Sequence, residues 1–492
     1  MEANDIPIKV GGNMERRAFM KTAVGAAAAW PVLGAAAPTG PAARRDFVIR
    51  GGYVISMDPR LGDLPMADVL VIDGRIAAVG RHLQAPAGAA VLDGTGMLVS
   101  PGFVNGHIHL AQTMQRGIST EHTFADYYST LVLKYSNRMS PEDVRLAEYV
   151  GALEQMALGT TTLMDWNREA MTPDHAEAAV DGLLESGVRA IFAYTIAART
   201  PQGSDAPLRR MVEHARSLRV GRLSSEDGRV ALGACLPGPD FMPLEPAFAD
   251  MRMLRELGVL TSFHCGAPIY AQRKKRLIAT LAQQGLLDGK LQLVHANELD
   301  GDEFRMAADH GACMVCTPEA ELHCGHGHPA IWKAARAKLP VSLGTDIPSA
   351  FGGGMMTQMR VALAAEIARL NAESFAATGK APATKAVSAR DMLELATIAG
   401  AQALGLGDLT GSITPGKRAD LLLIRSDSVA TAPMLDPVGT LVLQGTPADI
   451  DTVIVDGRVV KAAGRLTDAR AELAARQLRQ RALQMVQRAQ QA

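Results

Sequence analysis

Eight short apolar segments in the middle of the chain alternate with segments of helical periodicity, and this alternation most strongly constrains the fold. It favours parallel β-α units, because parallel strands need a crossover connection that is usually a helix. Eight such units predict a (β/α)₈ barrel, an α/β fold with its active site at the C-terminal ends of the strands. The predicted strands are residues 98–104, 161–165, 190–194, 230–235, 260–264, 291–295, 313–316 and 341–346.

Short alternating strands also occur on either side of this region, in residues 46–97 and 411–466. Both pieces carry an Asp-Gly hairpin signal between apolar alternations. Because each piece is too small to bury a core alone, we expect one small composite β-sandwich. The barrel is then expected over residues 98–410, followed by a polar C-terminal helix over residues 467–492.

The overall composition suits this organisation. A chain of 492 residues is long enough for a large barrel with an accessory domain. The formal net charge of −1 indicates neither a nucleic-acid partner nor an anionic membrane. Five cysteines in so long a chain do not make a disulfide framework.

Residues 1–37 have the pattern of an export signal. Arg16 and Arg17 precede an uncharged, Ala-rich run over residues 22–37. Paired arginines before a moderate apolar stretch and small residues are typical of a twin-arginine signal. The run is shorter than the roughly 20 residues of a membrane span. We therefore expect the twin-arginine machinery to export the chain to the periplasm or beyond, with no membrane attachment after cleavage. The alternative is a cytoplasmic chain with an Ala-rich leader helix.

Four histidines and one aspartate stand near the ends of predicted barrel strands. His107 and His109 are one residue apart, so on a strand both side chains project to one side. His264, His295 and Asp346 end three other strands, and these ends converge in a barrel. Imidazole and carboxylate ligands without thiolate suit one divalent metal, Zn²⁺ first and Fe²⁺ as the alternative. Such an ion lowers the pKa of a bound water towards ~7 and makes it a nucleophile.

The stretch Pro-Gly-Phe-Val-Asn-Gly-His-Ile-His at residues 101–109, followed by His264, His295 and Asp346, resembles the amidohydrolase superfamily. Within it, the chain is similar to the cytosine-deaminase-like branch, which holds S-adenosylhomocysteine deaminases and triazine chlorohydrolases. The resemblance covers about residues 47–465.

The resemblance implies roles for individual residues. It implies one divalent metal bound by His107, His109, His264 and Asp346. It further implies that His295 polarises the substrate or the attacking water, and that Asp346 also shuttles the proton. A homo-oligomer is the assembly that the resemblance suggests.

The chain departs from the family pattern at Ala267. The deaminases carry a glutamate three residues after the histidine of the fifth strand, and Ala267 occupies that position. Alanine cannot protonate a leaving amine. Glu298, Glu319 and Glu321 are candidate substitutes, and we expect Glu321, because the family usually places a polar substrate-facing residue there. The alternative for each glutamate is a solvated loop carboxylate.

Further residues near the strand ends are candidates for contact with a substrate. The predicted substrate-binding residues are Gln112, Trp166 and His326. Cys313 and Cys316 are three apart on a predicted strand and face opposite sides. We therefore expect core cysteines rather than a second zinc site.

These observations predict an exported, mononuclear metal-dependent hydrolase that uses metal-bound hydroxide. It would cleave a carbon–nitrogen bond, other than a peptide bond, of a small cyclic nitrogen compound, as a deaminase or amidohydrolase does. One alternative is the hydrolytic removal of a halide or a substituted amine. A leaving halide needs no protonation, so that reaction tolerates Ala267. A second alternative is a non-catalytic periplasmic binding protein that keeps the metal.

Overall fold

The computed structural model describes residues 46–195, 206–225, 227–270 and 272–491. The export signal expected over residues 1–37 lies outside these described residues. Seventeen strands occur in the described part: β1 (Phe47–Ile55), β2 (Asp63–Ile72), β3 (Arg75–Gly80), β4 (Ala90–Asp93), β5 (Met97–Pro101), β6 (Phe103–Ile108), β7 (Thr160–Asn167), β8 (Arg189–Thr195), β9 (Val230–Leu236), β10 (Thr261–Cys265), β11 (Leu291–His295), β12 (Cys313–Cys316), β13 (Val341–Leu343), β14 (Leu421–Arg425), β15 (Ile450–Val455), β16 (Arg458–Ala462) and β17 (Arg465–Leu466).

Helices connect most of the strands. The α-helices of the described residues are α1 (Phe124–Asp126), α2 (Pro141–Ala157), α3 (Pro173–Ser186), α4 (Ala206–Val220), α5 (Leu244–Arg255), α6 (Leu277–Gln283), α7 (Gly301–Asp309), α8 (Pro318–Cys324), α9 (Ile331–Arg336), α10 (Met355–Thr378), α11 (Ala389–Leu395), α12 (Ile398–Ala403), α13 (Pro437–Gly439) and α14 (Ala471–Gln490). Shorter 3₁₀ or π segments cover Leu110–Gln115, Tyr127–Tyr135, Ser136–Arg138, Pro239–Phe241, Thr440–Gln444 and Pro447–Asp449. No helix of these described stretches is both long and apolar enough to span a bilayer.

Strands β6 to β13 form one eight-stranded parallel sheet in which every strand pairs with its neighbours in sequence. Ile108, at the end of β6, forms a parallel bridge with Asp346, beyond β13. The first and last strands therefore meet, and the sheet is a nearly closed barrel. The prediction of a (β/α)₈ barrel is confirmed.

The helices between these strands begin and end at residues that the sequence supplies. Ser140 and Asp143 form a reciprocal capping box at the start of α2, where Pro141 takes the first helical position. Thr172 caps α3, which ends at Gly187 in the left-handed conformation, φ 84°. These capping residues determine where α2 and α3 begin and where α3 ends.

The remaining strands form a nine-stranded mixed sheet built from both ends of the described chain. β14 joins the two halves by pairing antiparallel with β5. The accessory β domain predicted from residues at both ends is thus confirmed as part of the fold. A buried ion pair links it to the barrel, because Arg189 Nε on β8 donates to Asp420 Oδ2 at 2.7 Å. Removing either partner would leave a buried charge uncompensated.

One predicted strand was wrong in its bounds. Residues 98–104 were expected to be the first barrel strand, but β5 belongs to the mixed sheet and the barrel begins with β6. The chain changes sheets at Gly102, where a Cβ atom would lie 2.0 Å from Thr161 Oγ1. Only glycine permits this close passage, so the continuous apolar run hides a junction between two sheets.

Candidate metal centre

Three histidines and one aspartate converge at the C-terminal end of the barrel. His107 and His109 come from the end of β6, His264 from β10, and Asp346 from the turn after β13. One candidate ligand atom from each lies within 4.8 Å of the others. Asp346 Oδ1 is 3.2 Å from His107 Nε2 and 3.5 Å from His109 Nε2. The predicted ligand set is therefore brought together around one point.

The environment keeps these imidazoles neutral. Burial lowers the pKa of His109 to about 3, and burial also lowers the pKa of His107 and of His264. Burial alone would raise the pKa of Asp346, but the hydrogen bond from His107 is the largest effect that lowers it, and the pKa lies well below its usual range. Neutral imidazole and ionised carboxylate are the protonation states that bind a metal.

Main-chain contacts orient the ligands. His109 Nδ1 donates to the carbonyl of Trp166 at 2.9 Å, which leaves Nε2 facing Asp346. The amides of Thr345 and Asp346 both donate to the carbonyl of His107 at 3.1 Å. Asp346 adopts a left-handed conformation, φ 63°, which is uncommon for a residue other than glycine and carries some backbone strain.

The residues present fit one divalent ion. All four side chains offer nitrogen or oxygen, and three imidazoles with one carboxylate are a typical zinc donor set. His107 Nε2 and His109 Nε2 both face Asp346 Oδ1, at 3.2 and 3.5 Å, so buried nitrogen and carboxylate oxygen atoms converge where an ion would lie.

His295 is held by Glu321, and this corrects the placement expected from the sequence. His295 Nδ1 lies 3.2 Å from Glu321 Oε1, while Nε2 lies 4.0 Å from Asp346 Oδ2. Glu321 also accepts from the amide of Thr317 at 2.8 Å, which draws its carboxylate inward at the start of α8. Glu321 therefore lies behind His295 and is placed to orient it, rather than to face a substrate.

The other two glutamates proposed as substitutes for the missing acid also point elsewhere. Glu298 is exposed to solvent. Glu319 is partly buried and accepts from Gln358 Nε2 at 2.9 Å, and it lines a different surface depression from the metal ligands. Ala267 itself is fully buried. Glu298, Glu319 and Glu321 are therefore not among the described residues that line the cavity above the metal ligands.

A cavity of about 300 Å³ lies above the metal ligands. His109, His264, His295 and Asp346 form part of its wall. Its aromatic lining consists of Phe124, Tyr127, Tyr128, Trp166, Phe241 and Tyr270. Such a slot accepts a planar ring, because aromatic faces and edges bury it efficiently.

The three predicted substrate-binding residues have different positions. Trp166 and His326 line the cavity. Gln112 lies behind the wall, where its amide donates to Tyr127 Oη at 2.7 Å and accepts from Ser349 Oγ at 2.8 Å. It can support Tyr127 without reaching the cavity.

Three buried polar atoms of the cavity wall have no partner among the described residues: Trp166 Nε1, Tyr270 Oη and His326 Nδ1. Burial raises the pKa of Tyr270 well above its usual range and lowers the pKa of His326 to about 3. Unpaired buried donors and acceptors favour a polar ligand over an apolar one. The sequence reasoning missed Tyr270, whose only signal was its place three residues beyond Ala267.

Cys313 and Cys316 do not join this site. Both are buried and carry free thiols. Burial raises the pKa of each thiol.

The sequence of this chain matches a known protein family and several characterised relatives. Residues 98–460 match the amidohydrolase family. A 5-methylthioadenosine/S-adenosylhomocysteine deaminase from Symbiobacterium thermophilum is 28% identical over 423 residues, which are 84% of this chain and 93% of that relative.

Solved structures share the fold. A zinc-bound adenosine deaminase from Xanthomonas campestris gives a TM-score of 0.77 at 23% identity and covers 92% of this chain and 100% of its own. A zinc complex of atrazine chlorohydrolase from Arthrobacter aurescens gives a TM-score of 0.74 at 24% identity, and the match covers 88% of this chain and 99% of that protein. At such low identity, these two likenesses show the fold alone.

A buried carboxyl pair beneath the site leads to a prediction about pH. Glu148 Oε1 and Asp165 Oδ2 both accept from Asn167 Nδ2, at 2.6 and 2.9 Å. Burial raises the pKa of Asp165 to about 7, and burial with the charge of Asp165 raises the pKa of Glu148. These two carboxyls thus bind more protons in the folded state than in the unfolded chain, where they titrate near pH ~4. Their contribution to the stability should therefore fall as the pH rises from ~4 through 7.

We expect Glu148→Gln to relieve this loss, because glutamine still accepts from Asn167 and carries no charge. The thermal midpoint should exceed that of the wild type by at least about 2 °C at pH 8, with a smaller gap at pH 5. Glu154→Gln, on the same helix but paired with Arg116 near the surface, is the matched control. Scanning calorimetry at both pH values measures the effect, and an equal gap at both would contradict it.

Proposed function

Because the chain belongs to the amidohydrolase family and is a hydrolase, we propose that it removes a substituent from a ring carbon of a small nitrogen heterocycle. Cleavage of a carbon–nitrogen bond, as in deamination, is the first candidate reaction. One observation carries this proposal: three of the four converging ligand residues, His109, His264 and Asp346, line an aromatic cavity into which His295 also faces. The complete ligand set argues against a binding protein that has lost turnover.

Zn²⁺ is the proposed ion, with Fe²⁺ as the alternative, since three imidazoles and one carboxylate suit both. His107, His109, His264 and Asp346 would hold it. When bound, the ion would supply Lewis acidity and an activated water at neutral pH.

The protein's own residues would orient the substrate and move protons. The aromatic walls, Trp166 among them, would hold the ring flat and exclude water. His295 donates from Nδ1 towards Glu321, so Nε2 is free to act on the substrate side. The Asp346 carboxylate, close to this nitrogen, would accept the proton of the attacking water.

The leaving group decides between the two candidate reactions. An amine needs a proton as it departs, and Tyr270 Oη is a buried hydroxyl of the cavity wall without a partner in the described residues. Tyr270 is therefore our candidate donor for deamination. A halide needs no proton, so Ala267 in place of a carboxyl group favours hydrolytic dehalogenation as the second candidate.

A product-release assay tests the proposal. Zinc-loaded protein is incubated with amino-, alkylamino- and chloro-substituted triazines, pyrimidines and purines, and ammonia, amine and chloride are measured. We expect zinc-dependent release from at least one class; ammonia or amine supports the first reaction, chloride the second. His264→Ala removes a metal ligand. It should lower turnover by more than ~100-fold, the upper range for losing a residue that only hydrogen-bonds a metal ligand.

The control for this assay is Arg216→Met, because Arg216 pairs with Glu256 on the surface, away from the cavity. It should keep the turnover of the wild type. No release of any product across the panel, with one zinc bound per chain, would refute the proposed function.

We also propose that this hydrolase, which acts on small molecules, is exported through the twin-arginine pathway. We further propose that it assembles as a homo-oligomer. Arg16 and Arg17, followed by the Ala-rich run over residues 22–37, support export. In a bacterial host, we expect a shortened periplasmic form that is lost when both arginines are changed to lysine. Equal periplasmic amounts of both forms would contradict this, and light scattering of the purified protein measures the assembly.

A further inference from the structure

Arg168 lines the cavity and forms no ion pair with any residue of the described part of the chain. It directly follows β7 and lines the cavity together with Trp166 and Tyr128. Its guanidinium carbon lies 5.2 Å from the centre of the Tyr128 ring, a cation–π contact. Arg168 is half-buried, and it makes no hydrogen bond or ion pair within the described residues. Partly buried arginines are usually paired, so this one needs explanation.

The carboxylates of Glu169 and Asp346 form no ion pair with Arg168 within the described residues. Glu169, the next residue, is fully buried and accepts from Ser136 Oγ at 2.8 Å. Burial raises the pKa of Glu169, and the charge of Arg168 opposes that rise without a hydrogen bond between the two side chains. Asp346 faces His107 in the ligand group. Among the described residues that line the cavity, Arg168 is the one arginine or lysine. The cavity thus carries a fixed positive charge at its wall, beside an aromatic slot.

Arg168 also lies within electrostatic reach of the ligand group. Burial raises the pKa of Tyr127, and the positive charge of Arg168 opposes that rise. The same charge contributes to the lowered pKa of His109, after the larger effects of burial and of His107. Arg168 and the ligand residues His109, His264 and Asp346 line the same cavity, so a ligand bound there can contact both.

We propose that Arg168 binds a carboxylate on the substrate, so that the substrate class is a planar nitrogen heterocycle that carries a carboxylate. The guanidinium group presents a planar fork of donors that matches a carboxylate in two parallel hydrogen bonds. The cation–π contact with Tyr128 helps to hold that fork in place. A single positive charge balances a carboxylate, whereas a phosphate dianion would leave one charge unpaired in the cavity. The inference rests on the proposed function only in taking this cavity as the substrate site.

Calorimetric titration with two matched probes tests this inference. Quinoline-6-carboxylate and quinoline-6-carboxamide share one ring system and differ in charge, and neither chelates zinc through adjacent donors. Zinc-loaded wild type should bind the carboxylate about tenfold to a hundredfold more tightly than the carboxamide. In Arg168→Met that ratio should fall to about one, and in Arg168→Lys it should be intermediate, because lysine keeps the charge and loses the fork.

Two controls keep the result interpretable. Arg216→Met, which changes a surface arginine, should keep the ratio of the wild type. Equal zinc content of all variants shows that the ligand group is intact.

A carboxylate preference that persists in Arg168→Met would mean that the zinc or another group binds the carboxylate, and it would overturn the proposal. Equal binding of both probes by the wild type, or no binding of either, would also overturn it. The proposed function fails separately, in the product-release assay. A protein that selects the carboxylate through Arg168 yet releases no product would keep this inference and lose the other.

Discussion

The contact between the first and last barrel strands is the interaction on which the site depends. The bridge from Ile108 to Asp346 closes the barrel, and the amide of His109 donates to the Asp346 carbonyl at 2.8 Å. Gly344 makes this approach possible, because a Cβ atom there would lie 2.7 Å from the His107 carbonyl. Closure therefore brings the carboxylate of Asp346 against His107. The strained φ of Asp346 persists because these main-chain hydrogen bonds define its position.

Around this junction, the structure separates two kinds of polar group. The ligand residues are neutral imidazoles and one ionised carboxylate, held in place by contacts such as that of His109 with the Trp166 carbonyl. Glu321 supports His295 in the same way, from the side away from Asp346. The cavity wall instead contains polar atoms without a partner in the described part of the chain, as at Tyr270. Contacts within the protein orient the metal-ligating group, whereas the unpartnered wall atoms are available to a bound substrate.

Much of this arrangement could be predicted from the sequence. Apolar segments alternating with helical ones predict a barrel, and histidines at strand ends predict ligands, because both patterns are local in the chain. The junction at Gly102 was missed because the apolar run continues across it, and only the approach of Thr161 reveals the change of sheet. The position of Glu321 depends on how the first turn of α8 folds against β11, which no local pattern encodes. Arg168 was missed because an isolated arginine carries no motif.

The central claim is that one divalent ion is held by three imidazoles and one carboxylate. X-ray absorption spectroscopy of the zinc-loaded protein, together with its metal content, tests this most directly. We expect one zinc per chain with nitrogen and oxygen neighbours only, at about 2.0–2.2 Å, and the loss of that signal in His264→Ala. Sulfur neighbours at about 2.3 Å, or an unchanged zinc environment in the variant, would contradict the account.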